Sequence, residues 1–250
     1  MSGHSKWSTI KRKKGAADAK KGKIFTRIAK EIALAARLGG GDPEGNSRLR
    51  QAILAAKAEN MPKDNIDRAI KKGSGDLDGG IQYEEITYEG YGPGGVAILV
   101  ETATDNKNRT AADVRSVFSK AGGQLAGGGS VAWQFEPRGV IAVTRDGQDA
   151  DDIALAAIDA GADDIDTESD PLEVVTSPGS LEAVRKSLES AGMPIESAEI
   201  TMQAKTPIDV DLHVANQNLR LIENLEDLDD VQRVTANFNL PAEILEAASA

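Results

Sequence analysis

Hydrophobic periodicity changes once along this chain, at the glycine-rich stretch GSGDLDGG (residues 73–80), and that change most limits the folds open to it. Before it, apolar residues recur every three or four positions. After it, short alternating or continuous apolar runs take turns with helical ones. Such a chain is expected to fold as a helical unit followed by α+β units, with the glycines reading as a flexible linker.

The helical part reads as three helices. Ile24, Ile28, Ile32 and Ala35 recur at helical spacing, with Phe25 and Leu38 adjoining the same face, and Gly39 to Gly41 stop the helix. Asn46 or Ser47 can cap a second helix with Leu49, Ile53 and Leu54 as its stripe. NMPKDNIDRAIKKG (60–73) reads as a third, with Pro62 in the first turn, Asp64/Arg68 and Asp67/Lys71 four residues apart, and Gly73 as the stop. Met1 to Lys21 is polar, Lys-rich and poor in apolar residues, and is expected to be mobile on its own.

Past residue 80 the pattern predicts strands at YEEITYE (83–89) and VAILVETA (96–103), joined by GYGPGG (90–95). A helix at 108–123 and a strand at SVAWQF (130–135) follow. The next stretch, to about residue 204, gives β-α-β-β-α-β, the ferredoxin-like order. A helix at 212–227 and a strand at 231–238 end the series. The expected fold class is therefore α+β: an N-terminal three-helix domain and two α+β domains with ferredoxin-like βαβ units, the third inserted in the second. The expected boundaries are a basic flexible segment at 1–23, a helical domain with linker at 24–80, an α+β domain at 81–137 plus 205–250, and an inserted acidic domain at 138–204.

Charge follows the same division. The chain has a net charge of −11, yet residues 1–80 carry 18 basic and 9 acidic groups, a net of +9. Residues 81–250 carry 11 basic and 31 acidic groups, a net of −20. Met1 to Lys30 holds ten Lys or Arg and one acid, Asp18. A basic front on an acidic chain calls for a polyanionic partner, nucleic acid first. The inserted unit, with 4 basic and 15 acidic residues over 138–204, is repelled by phosphate backbones. No run approaches the 18 apolar residues of a membrane span, and the basic start lacks the apolar stretch of a signal peptide. Cysteine is absent, which removes disulfides and thiolate chemistry and suits a reducing compartment.

Enzyme chemistry finds little support. The two histidines, His4 and His213, have no partner spacing suited to a metal site or a triad. GYGPGG lies between two strands, whereas a dinucleotide fingerprint opens a helix, so it reads better as a hairpin turn. AGGGSV (126–131) runs from helix to strand, the wrong order for a P-loop. DADD (149–152), GADDID (161–166) and EDLDD (226–230) lack calcium-loop spacing and read as solvated surface. No catalytic residue, metal, cofactor or small-molecule substrate is expected.

Binding chemistry remains. Lys6, Lys11, Arg12, Lys13, Lys14, Lys20, Lys21, Lys23, Arg27 and Lys30 can neutralise phosphates. Trp7 lies within that run, either as a platform for a base or as an anchor packed on the helices. TDNKNRT (104–110) leaves a strand and enters a helix, where free N–H groups favour anions. Lys107 and Arg109 within it, with Arg115 and Lys120, concentrate the later cations, and Tyr83, Tyr88 and Tyr91 lie in the neighbouring hairpin. Helix capping and core aromatics explain the same residues.

GHSKW (3–7), GKIFTRIAKEI (22–32), NMPKDNIDRAIKKG (60–73), YEGYGPGGVAILVE (88–101), TDNKNRT (104–110) and GGGSVAWQFE (127–136) together resemble, in order and spacing, the hallmarks of the YebC family. The resemblance covers essentially the whole chain. It implies three domains with the third inserted in the second, a cytoplasmic protein and no catalytic activity. It implies a DNA-binding transcriptional regulator, the usual description of bacterial members. The alternative is an RNA- or ribosome-associated translation factor, as in mitochondrial translational activators and factors that act at proline-rich sequences. The residues leave DNA and RNA open, and the oligomeric state as well.

Overall fold

A computed structural model describes residues 17–75 and 83–244, with side chains from Gly22 onward. Three helices come first: α1 (Ala17–Gly39), α2 (Ser47–Ala58) and α3 (Lys63–Ser74). α1 is already helical at Ala17, where the described residues start, seven residues before the first apolar residue of its stripe, and the intervening Ala and Lys are strong helix formers. Ile28, Ile32 and Ala35 bury the expected face against Leu49, Ala52 and Ala56 of α2 and Ile66 and Ala69 of α3.

Asn46 closes two helices at once. Its carboxamide oxygen accepts from Leu49 N at 3.1 Å, capping α2, while Nδ2 donates to Ala35 O and Gly40 O of the α1 terminus, both at 2.8 Å. Gly73 does not end α3. It lies inside the helix, where a Cβ would come within 2.0 Å of Ala33 O, so glycine is needed for the close approach of α3 to α1. Gly75, at φ +85°, provides the left-handed stop. The rest of the expected linker, residues 76–80, lies outside the described residues.

The remainder forms two antiparallel sheets. In the first, β1 (Glu84–Tyr91) and β2 (Ala97–Thr104) form a hairpin over the glycine turn, with Gly94 and Gly95 at φ +72° and +76°. α4 (Lys107–Lys120) and the two-residue β3 (Gln124–Leu125) follow. α7 (Leu212–Glu226) and β8 (Val231–Ala236) complete the sheet, whose order is β3-β1-β2-β8. Val114 and Phe118 of α4 and Leu221, Ile222 and Leu225 of α7 cover one face.

The second sheet contains β4 (Phe135–Val143), β5 (Asp164–Asp166), β6 (Leu172–Thr176) and β7 (Ile195–Ala204), in the order β5-β6-β4-β7. α5 (Ala150–Asp159) and α6 (Leu181–Ser190) pack on it through Ile153, Ala157, Val184 and Leu188. SVAWQF is not a strand of the first sheet. Ala132–Gln134 make a 3-10 turn, and Phe135 already belongs to β4 of the second. Val131 and Phe135 are apolar for another reason: they pack on Ala97 and Leu99 at the joint between the sheets.

Candidate nucleic-acid interface

Lys23, Arg27 and Lys30 recur at i, i+4 and i+7 and share one face of α1. That face meets the acidic turn after α7. Lys23 Nζ pairs with Asp227 Oδ1 and donates to Asp227 O, both at 3.1 Å. Lys30 Nζ lies 2.6 Å from Asp230 Oδ1 and 2.8 Å from Asp229 O. Arg27 is half-buried between them, and burial lowers its pKa against the pull of Glu226. EDLDD was expected to be solvated surface; instead it is the counterpart of the α1 cations.

Asp230 is the centre of this contact. Its side chain is only 8% exposed. Oδ2 accepts from Arg109 Nη2 and Thr110 Oγ1, each at 2.7 Å, and from Thr104 Oγ1 at 3.2 Å. Burial alone would raise the carboxyl pKa; hydrogen bonds from Lys30, Arg109 and Thr110 outweigh it and bring the value down to about 2. Arg109 also pairs with Asp105 at 2.8 Å, and the two carboxylates raise its pKa.

TDNKNRT is thus largely occupied from within the chain. Asn106 caps α4 by accepting from Arg109 N at 3.1 Å, and Thr104 Oγ1 accepts from Asn106 N at 2.9 Å. The Arg109 guanidinium is committed to Asp230 and Asp105. Lys107, Arg115 and Lys120 are exposed. The Tyr88 hydroxyl donates to Lys107 O at 3.2 Å, which ties the hairpin to the same loop.

The second glycine loop holds an internal anion too. Glu89, buried on β1, accepts from Gly129 N and Val131 N at 2.6 Å and from Ala132 N at 2.8 Å. Burial opposes its ionisation, yet the backbone N–H groups lower its pKa overall. AGGGSV is therefore a cradle for Glu89.

Of the residues expected to bind nucleic acid, Lys6, Trp7, Lys11, Arg12, Lys13 and Lys14 lie outside the described residues. Lys20 and Lys21 are in α1, and their side chains are not described. Lys23, Arg27 and Arg109 converge on the acidic turn, and Lys107 stands at the mouth of α4. His213 is exposed in the first turn of α7, which Asp211 caps.

Sequence reasoning missed a groove of about 300 Å³ between α1 and α3. Phe25, Ala29, Met61 and Ala69 line it, Tyr83 forms a wall, and Arg68 and Lys72 stand at its edge. The signal was present in the spacing of Arg68 and Lys72 on α3, but the position of Tyr83 depends on tertiary packing. Trp133 is a second omission: the residue is 67% exposed on the turn between the sheets.

Sequence models of two parts of one family match the chain. The TACO1/YebC protein N-terminal domain matches residues 5–76, and the TACO1/YebC second and third domain matches residues 83–238. A protein of Syntrophus aciditrophicus named as a probable transcriptional regulatory protein is 62% identical over 250 residues, covering 100% of both chains. One of Geobacter sulfurreducens, with the same description, is 56% identical over 246 residues, covering 98% of this chain and 99% of its own. The crystal structure of a conserved hypothetical protein from Aquifex aeolicus superposes with a TM-score of 0.89 at 46% identity, over 96% of this chain and 99% of that one. Among the described residues, no helix is long and apolar enough to cross a membrane.

Proposed function

The chain belongs to the TACO1/YebC family, and from that premise we propose that it regulates gene expression by binding nucleic acid, without catalysing a reaction. Charge partition carries this reading: a net of +9 over residues 1–80 against −20 over the rest. The acidic turn neutralises Lys23 and Lys30, so phosphate contacts fall to the basic segment before Gly22, where Lys6, Lys11, Arg12, Lys13 and Lys14 face no comparable number of acids in sequence. Lys107 adds an exposed cation at the start of α4. Relatives named as probable transcriptional regulatory proteins favour transcription as the process, which makes DNA the first candidate polymer.

A second reading is RNA of the translation machinery. The groove at Tyr83 supports it, because aromatic and cationic side chains around an apolar floor suit an unpaired base better than a duplex. Cations alone give affinity and little discrimination between sequences.

The test is fluorescence anisotropy of the full chain with a 20-base-pair DNA duplex and with single-stranded RNA, at salt from about 50 to 300 mM. Binding that weakens steeply and linearly in log salt supports the reading, and the polymer held more tightly at physiological salt selects between its two forms. Absence of binding to both at the lowest salt refutes it.

A further inference from the structure

We infer that the α1–α3 groove holds one unstacked nucleotide of a single strand, its base on the apolar floor and its phosphate at the rim. The inference rests on the nucleic-acid reading above and assigns that reading a specific pocket.

The floor is Phe25 of α1, Met61 of the connection before α3, and Ala69 of α3. A flat apolar body fits there, and a free phosphate would leave this surface unpaired. The rim carries Arg68, exposed on α3, and Lys72, and an uncharged apolar ligand would leave these cations without a counterion. Asn65 lines the groove with a carboxamide that can both donate to and accept from a base edge. A volume of about 300 Å³ is at the lower end of ligand pockets, which suits one base with its phosphate.

The Tyr83 wall is fixed before any ligand arrives. Lys30 and Lys72 ammonium groups lie 5.5 and 5.0 Å from its ring centroid. Lys72 Nζ also donates to its hydroxyl at 3.2 Å, and Arg37 Nη1 donates to its backbone oxygen at 2.9 Å. A preorganised aromatic wall loses little entropy when a base stacks on it. Lys30 is already bound to Asp230, so Arg68 and Lys72 are the groups that meet the phosphate. A base in a duplex is stacked and paired on both sides and does not reach the floor, so the pocket selects single strands.

The experiment uses the full chain with 12-nucleotide oligo-uridine RNA, oligo-thymidine DNA and a 12-base-pair DNA duplex, read by anisotropy. Thr26→Trp fills the groove from an exposed position, and Tyr83→Leu removes the aromatic wall. Neither changes the charge, so both leave the phosphate attraction intact. Each variant is expected to lose about tenfold in single-strand affinity, the effect of one lost base stack, with duplex affinity within twofold of wild type. The single strand that suffers the larger loss identifies the ribose or deoxyribose source. Unchanged single-strand binding in both folded variants overturns the inference, and so does an equal loss on the duplex. Failure of the wild-type chain to bind any of the three refutes the nucleic-acid reading itself, a distinct outcome.

Discussion

Replacing Asp230 with Asn keeps the shape of the side chain and removes its charge. The carboxylate joins α1 of the helical unit, through Lys30, to the first sheet's α4, through Arg109 and Thr110. Its pKa falls from an ordinary 3.8 to about 2, a difference of about 2–3 kcal/mol between the protonated and ionised states. Breaking a buried ion pair from one side costs about 3–5 kcal/mol, and Lys30, only 10% exposed, would be left as the uncompensated charge. Both routes lead to a loss of about 3 kcal/mol, or roughly 6–12 °C in Tm for a chain of this size. The pH dependence has a definite sign. A depressed carboxyl pKa stabilises the fold above the unfolded value near 4, and the contribution disappears as pH falls toward 2. Urea denaturation of wild type and Asp230→Asn at pH 7 and at pH 3 is the assay. The gap between them should be wide at pH 7 and narrower at pH 3. Adding Lys30→Met to Asp230→Asn should recover part of the loss, since the orphaned ammonium is gone. A single variant within about 0.5 kcal/mol of wild type at pH 7, with no recovery in the double variant, would refute the account of Asp230 as the junction.

Other expectations are narrower. Deleting residues 1–16, which removes Lys6, Lys11, Arg12, Lys13 and Lys14 ahead of α1, should flatten the slope of log K against log salt on duplex DNA by about 4.5 while the melting profile stays put; an unchanged slope would move the interface elsewhere. Lys107→Glu should weaken nucleic-acid binding several-fold with the fold intact, and wild-type affinity would leave that loop with capping alone. Arg109→Glu is unsuited to the same purpose, because it sets a carboxylate against Asp230 and destabilises the junction. Gly73→Ala should lower stability by about 2 kcal/mol or more, well beyond helix propensity, because its Cβ meets backbone at 2.0 Å; a thermal melt matching wild type would show that α3 shifts freely on α1. Glu89→Gln should speed amide hydrogen exchange at Gly129, Val131 and Ala132, whose N–H groups lose their shared acceptor charge.

Much of the architecture was legible because it depends on local pattern. The Ile24-to-Ala35 stripe, the Asn46 cap and the hairpin glycines each state their geometry within a few residues. The β-α-β-β-α-β order read from residues 138–204 is the order found, although the second sheet takes the chain from Phe135. The errors arose where distant contacts decide. Gly73 looked like a helix stop, and only the approach of Ala33, forty residues away, shows its other use. SVAWQF is a short apolar run that reads like a strand, but Val131 and Phe135 are buried at a joint that no local period encodes. The site fared worse than the fold for the same reason. A lysine left open to a phosphate and one that binds a carboxylate two hundred positions away look identical in sequence, so nothing local marks Lys23 and Lys30 as partners of Asp227 and Asp230.

That ambiguity bears on how an acidic protein can hold a polyanion. Asp227 and Asp230 meet the α1 ammonium groups with the charge and geometry a phosphate would offer, so the clasp removes this face from competition. It also cancels part of the body's own negative field beside the helical unit, where repulsion of a strand would be strongest. Arg68 and Lys72 of α3 then face a neighbouring groove, which shares Lys30 with the clasp and has no acidic group in its lining. On this view the cations of the N-terminal part divide by position. Lys23 and Lys30 within α1 hold the units together, and those ahead of the helix attract the partner. Swapping the roles by reversing Asp227 and Asp230 to Lys should therefore weaken the fold first and leave the salt dependence of binding to the segment before α1.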